Sequence, residues 1–222
     1  MPAAICQKFD LAYFSTPKAC STSMKKVLYE LEQDRPCAQG YKFLHRQFPT
    51  FPITPADFEA ARAYWCFTIL RDPVSRLMSA YGNRVQHHND IQNYVERSYE
   101  SRTKFRLRYP FLNLHPSANE FYENLAFYQS ICYSIWHHTV SVSQFLGSDL
   151  TFFDAIYKIK DIPELAQELS RRTGRTINLP HEQTEGQKVT LGMLSPKARA
   201  NVLAYTRPDY ELLRDFFQPP ES

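Results

Sequence analysis

Lys18, Ser21, Thr22 and Ser23 crowd the junction between a short apolar run, Leu11, Ala12, Tyr13 and Phe14, and a helical pattern carried by Met24, Val27, Leu28 and Leu31. These residue types suit an anion. A helix start offers N–H groups that lack intrahelical partners together with the positive end of the helix dipole, and here three hydroxyls and an ammonium stand beside them. An ordinary strand followed by a capped helix has the same wording, because Ser and Thr are common N-caps. A phosphorylated nucleotide is the ligand this chemistry would hold. The triphosphate loop GxxxxGK[ST] does not fit, since the first glycine of the chain is Gly40 and Lys18 precedes the hydroxyls with no glycine at its side. Phosphate can still be gripped by N–H groups, hydroxyls and one lysine without a metal.

The segment from Trp65 to Val85 repeats this plan. A strand from Trp65 to Leu70 ends at Arg71 and Asp72, and Pro73 stands where a first helical residue belongs. Val74, Leu77, Met78 and Tyr81 then mark one helix face. Arg71 can fork onto a second anion, with Ser79 about two turns further along the helix. Pairing of Arg71 with Asp72 or another carboxylate, and Ser79 as a small packing residue, is the structural alternative.

Taken together, the two segments resemble a known family. STPKACSTS is similar to the 5′-phosphosulfate loop of the sulfotransferases, and LRDPVSRLMSAY resembles their 3′-phosphate motif. The wording RDPxxRLxSAY is closest to the carbohydrate sulfotransferases, which include the chondroitin and heparan 2-O enzymes and many short bacterial proteins. FLGSDLTFFDAIYKIKDIPELAQELSRRTG and YTRPDYELLRDF resemble that group's mid-domain strand and helix and its C-terminal helix, so the likeness spans nearly the whole chain. It implies sulfuryl transfer from 3′-phosphoadenosine 5′-phosphosulfate (PAPS) to a carbohydrate hydroxyl, with no metal. It assigns Lys18, Ala19, Cys20, Ser21, Thr22 and Ser23 to the 5′-phosphosulfate, and Arg71 and Ser79 to the 3′-phosphate. Lys18 would also neutralise charge growing on the leaving oxygen. Cys20 fills a slot that relatives give to a small residue, where it packs or, near a helix N-terminus, has a lowered pKa.

Transfer to an alcohol needs a base, and an imidazole suits that task. His45, between the two phosphate motifs, is the expected one; a carboxylate or one of His87, His88, His137 and His138 is the alternative. Neither pair of adjacent histidines has zinc-ligand spacing. His138 and Gln144 fall where relatives often carry residues near the acceptor, and Thr184, Gln187 and Lys188 fall where relatives close a loop over the nucleotide. Arg102, Lys104, Arg106 and Arg108 would share one face of an extended segment, able to meet an anionic glycan or simply to face solvent.

The elements that must position these groups alternate. Besides the two strands named, Phe153 to Ile159 reads as a strand, Asn119 to Trp136 and Ile162 to Thr173 as helices, the latter closed by Gly174, and Ser195 to Phe217 as two helices divided near Pro208. The expected fold is α/β, an open parallel sheet flanked by helices with ligands at the carboxyl ends of its strands. A chain of 222 residues with 43% hydrophobic side chains suits a single domain, 1–222. A formal net charge of +3 argues against nucleic acid as a partner. No long apolar span or signal-like start is read, and an odd count of 5 cysteines suits a reducing compartment, so a cytoplasmic, bacterial-type enzyme is expected. A small-molecule or lipid-headgroup sulfotransferase, or a binding module that performs no transfer, are the alternatives.

Overall fold

The computed structural model describes residues 3–97, 107–179 and 188–220. In chain order the elements are β1 (Ala3–Cys6), β2 (Leu11–Phe14), α1 (Ser21–Gln33), α2 (Tyr41–Gln47), α3 (Pro55–Ala61), β3 (Trp65–Leu70), α4 (Pro73–Ala80) and a π-helix (Tyr81–His87). There follow α5 (Asp90–Arg97), α6 (Ala118–Glu123), α7 (Leu125–Ile131), α8 (Tyr133–Thr139), α9 (Ser143–Leu146), β4 (Ala155–Lys158), α10 (Ile162–Thr173) and α11 (Pro196–Leu212). The chain forms two compact units, one of residues 1–71 and 141–184, the other of 72–140 and 185–222.

The first unit holds a four-stranded sheet in the order β1-β2-β3-β4. β2, β3 and β4 are parallel, with Phe14 opposite Thr68 and Phe67 opposite Ala155. β1, an element absent from the sequence reading, adds antiparallel to β2. The fold is therefore α/β, with one edge strand reversed. LAYF and WCFTIL are buried along nearly their whole length, as strands covered on both faces must be. Alternation then divides the work. Leu11, Tyr13, Phe67 and Ile69 join a core with Met24, Val27 and Leu28 of α1 and Leu165 and Leu169 of α10. Phe14 instead meets the rings of Phe58, Phe152 and Phe153.

The second unit is helical among the described residues. Its core joins Val74, Leu77 and Met78 of α4 to Phe121, Tyr128 and Ile135 of α6, α7 and α8, and to Ala198, Val202 and Tyr210 of α11. Arg76 is buried within it, donating to the carbonyls of His138, Thr139 and Val140 at the end of α8 and pairing with Asp209 at 3.4 Å. One guanidinium thus satisfies a helix C-terminus and a buried carboxylate together.

Three expectations need correction. The helix read over Asn119 to Trp136 is three short helices. Asn124 (φ −124°, ψ 26°) and Cys132 (φ −132°, ψ 105°) leave helical geometry, although the apolar stripe Phe121, Leu125, Tyr128, Cys132 and Ile135 is buried as the spacing requires. Conversely, α11 runs unbroken through Pro208. The proline forfeits one backbone hydrogen bond, but buried Val202, Thr206, Asp209 and Tyr210 continue one face past it. The strand placed at Phe153 to Ile159 is confined to Ala155–Lys158.

Candidate functional site

Because Phe14 pairs with Thr68, the carboxyl ends of β2 and β3 lie side by side, and the chain leaving each builds the site. After Phe14 the backbone passes through two left-handed residues, Lys18 (φ 69°) and Cys20 (φ 55°), before entering α1. Such a conformation costs a residue with a side chain about 1–2 kcal/mol, so contacts must hold the loop. Ala19 N–H donates to the Thr16 carbonyl at 3.4 Å, Tyr13 Oη to the Ala19 carbonyl at 3.3 Å, and Thr16 Oγ1 to the Ile69 carbonyl at 3.5 Å. Arg71, just past β3, donates from Nη1 to the Lys18 carbonyl at 3.1 Å. Lys18 and Arg71 are thereby tied into one loop structure.

The helix begins earlier than its apolar pattern. Cys20 is the N-cap, and Ser21, Thr22 and Ser23 form the first turn with no side-chain cap bond. The first intrahelical bond runs from Met24 N–H to the Cys20 carbonyl at 3.1 Å, so the amides of Ser21, Thr22 and Ser23 come before it at the positive end of the dipole. Thr22 and Ser23 are buried with their hydroxyls in that turn. The lowered pKa considered for Cys20 is overturned: burial pushes its thiol up, and the charge of Arg71 offsets this only in part.

His45 lies on α2, which packs on α1. Its Nε2 is 3.1 Å from Thr22 Oγ1 and its Nδ1 is 3.4 Å from Lys25 Nζ. The Tyr41 ring meets the imidazole edge-on, 6.4 Å between centroids. Lys25 Nζ also donates to Thr50 Oγ1 at 2.7 Å, and Thr50 shares a 2.7 Å hydrogen bond with Ser15. A chain of polar groups, Ser15, Thr50, Lys25, His45 and Thr22, therefore starts and ends in the turn and first helical residues that follow β2. Lys25 is only 1% exposed, and burial pushes its ammonium down to about 7. The sequence reading missed Lys25. Its signal was helical spacing: Lys25 stands three residues from both Thr22 and Leu28, on the inward face, whereas adjacent lysines suggest solvent.

Other expected residues are placed differently. Asp72 is not the partner of Arg71; it caps α4, accepting Ser75 N–H at 2.7 Å and Tyr210 Oη at 2.6 Å. Ser79 is half-buried on α4 in the second unit, while Arg71 ends the first. His87 and His88, and His137 and His138, form ring contacts within each pair in the second unit, and His138 Nδ1 is 2.8 Å from the Ser134 carbonyl. Gln144 belongs to α9 of the first unit, its carbonyl accepting Ile53 N–H. Arg102, Lys104, Arg106, Thr184 and Gln187 lie outside the described residues. Leu107 and Arg108 are helical rather than extended, the Arg108 guanidinium 5.5 Å from the Tyr109 ring centre, and Lys188 is exposed. Among the described residues no group of three or more His, Cys, Asp or Glu side chains could hold a metal ion, and no helix is long and apolar enough to cross a membrane.

A family model described as "Sulfotransferase family" matches residues 1–216, through both units. No match is found among curated proteins or among solved structures.

Proposed function

The chain belongs to the sulfotransferase family, and from that premise we propose that it transfers a sulfuryl group from PAPS to a carbohydrate hydroxyl. One observation carries the reading: the turn after β2 gathers the first-turn amides of α1, the hydroxyls of Thr22 and Ser23, and Lys18 tied to Arg71, all suited to an anion. The donor fits this set, since hydroxyls, an ammonium and a guanidinium are phosphate and sulfate ligands and poor metal ligands. We take the loop Lys18–Ser23 to hold the 5′-phosphosulfate and Arg71 to hold the 3′-phosphate. Ser79 keeps its role as a phosphate hydroxyl on its motif alone. The match through both units favours one catalytic domain over residues 1–222.

The donor supplies an electrophilic sulfur and a phosphate leaving group. We take His45, whose Nε2 lies 3.1 Å from Thr22 Oγ1, as the base that accepts the proton of the attacking hydroxyl. As the oxygen–sulfur bond forms and the bond to the bridging oxygen breaks, the electron pair goes to the phosphate, where Lys18 neutralises the growing charge. We take the setting to be cytoplasmic, which the odd count of 5 cysteines without paired spacing suits.

The decisive experiment pairs calorimetric titration with the desulfated donor product and sulfate transfer to a panel of glycans, lipids and small alcohols. Glycan sulfation is expected, with turnover lowered roughly 10²- to 10⁴-fold in His45→Gln while product affinity is kept. Transfer confined to lipids or small alcohols would overturn the carbohydrate assignment. Tight binding without transfer to any acceptor would leave a binding module.

A further inference from the structure

The polar chain beneath the phosphate loop contains a group that the transfer step does not use. Lys25 lies in the buried side of α1, its Nζ between Thr50 Oγ1 at 2.7 Å and His45 Nδ1 at 3.4 Å. The elements packed on α1 bring ionisable groups at Cys6, Lys8, Tyr13, Tyr41, Lys42, His45 and Arg46, and α10 adds Glu164, Glu168, Arg171 and Arg172. Among these, His45 is the one hydrogen-bonded to Lys25. The carboxylates of α1 itself are engaged elsewhere, Glu30 with Cys37 N–H and Glu32 with Lys8 N–H.

Hydrogen-bond counting admits two protonation patterns, and the cost of a buried charge separates them. An ammonium has three N–H donors and no acceptor, so it would meet Nδ1 as a lone pair and force the ring proton onto Nε2. It would also be a buried charge beside hydroxyls and an imidazole, with no carboxylate among its hydrogen-bond partners. An uncharged amine has two N–H groups and one lone pair. It can donate to Thr50 and accept Nδ1–H from His45, which leaves Nε2 as the basic atom facing Thr22.

We infer that Lys25 is a positioning residue for His45: its uncharged amine accepts the Nδ1 proton, the part a carboxylate plays in many histidine sites, and so fixes Nε2 as the proton acceptor. Burial, which holds the lysine down to about 7, acts in the same direction. Two cations 3.4 Å apart would repel strongly, so lysine and histidine take up protons as a pair in two separated steps. The first proton of the pair silences the base, whether it settles on Nε2 or on the amine. The inference rests on His45 being the base, and its test separates the two ideas.

The tautomer of His45 is read from ring ¹⁵N shifts between pH 5 and 9 in the wild-type protein, with His45→Gln for assignment. Above the first titration step the wild type should show Nδ1–H and a bare Nε2, and Lys25→Met should return the ring to the mixture of a free imidazole. Lys25→Arg, a permanent cation, should force Nε2–H. Turnover should fall roughly 10- to 10²-fold in Lys25→Met, a part of what a general base supplies, with KM for the donor unchanged and the acid limb of the pH profile displaced. Nε2–H in the wild type at pH 8 overturns the inference without recourse to any variant, as does a tautomer indifferent to Lys25→Met. If instead the tautomer depends on Lys25 but His45→Gln keeps full turnover, the positioning stands and the assignment of the base fails.

Discussion

At the scale of single residues, the site is held by side chains that serve the loop as well as the ligand proposed for it. Arg71 donates to the Lys18 carbonyl and so fixes the left-handed turn beside the cradle. Arg71→Ala should remove a charge-assisted contact worth about 1.5–3 kcal/mol and weaken binding of the desulfated donor roughly 10- to 150-fold by calorimetry. Arg71→Lys should recover only part, because an ammonium cannot fork. Lys25 leaves a mark on stability. Its folded pKa, about 7, lies below the ordinary lysine value, so the unfolded chain binds more protons between pH 7 and the usual lysine range. Stability should therefore rise with pH from about 7, and the penalty is fully present below that. Above pH 9 the buried thiols of Cys6 and Cys66, pushed up to about 12 and about 11, oppose the rise, because there the folded state holds the extra protons. Urea melts of wild type and Lys25→Met should differ by on the order of a few kcal/mol at pH 7 and converge toward pH 10. The junction after β2 was legible in the sequence because an apolar run, a proline and a cluster of hydroxyls mark a strand, a turn and a helix start. Lys25 was not, because its role comes from burial and from a histidine brought by another helix.

At the scale of elements, periodicity told which side chains are buried more faithfully than where helices end. The stripe from Phe121 to Ile135 is buried although the backbone breaks twice beneath it. Side-chain spacing averages over a local change of φ and ψ that still returns the next apolar group to the same face. Strand β1 was missed because AAIC is short and lies at an edge, and pairing with β2 makes it a strand. Gly174, by contrast, was informative as a helix end. Gly174 closes α10 at φ 67° with nothing within 4 Å of an added Cβ, so Gly174→Ala should cost about 1 kcal/mol, from conformation alone. Gly147 has φ 76° and would set a Cβ 3.0 Å from the Phe58 ring. Thermal melts should therefore show Gly147→Ala below Gly174→Ala, and equal midpoints would remove the steric argument. The π-helix after α4 had no signal in the apolar pattern. Within it Asn83 is buried between Tyr81 and Val85 of the core.

At the scale of the whole molecule, the family match and the alternation of strands and helices agree, while the division of the chain does not follow its order. Each unit is made of two separated stretches, 1–71 with 141–184 and 72–140 with 185–222. Synthesis therefore matters. When β3 emerges, one of its edges can pair with β2, but the other awaits β4, which comes only after residues 71–154. At roughly 5–20 residues per second the wait lasts several seconds. WCFTIL, rich in β-formers and carrying neither charge nor proline, presents an unsatisfied edge throughout. Ribosome-bound chains ending at residue 140 should be avid chaperone clients and aggregate on release. Chains ending at residue 184 should protect the amides of β2 and β3 from hydrogen exchange while those of α4 still exchange. Equal protection of β3 at both lengths would show that the strand finds another cover first. The interleaving that brings β4 beside β3 thus sets a vulnerable interval in the life of each new chain, and expression yield should depend on how quickly the ribosome crosses residues 71–154.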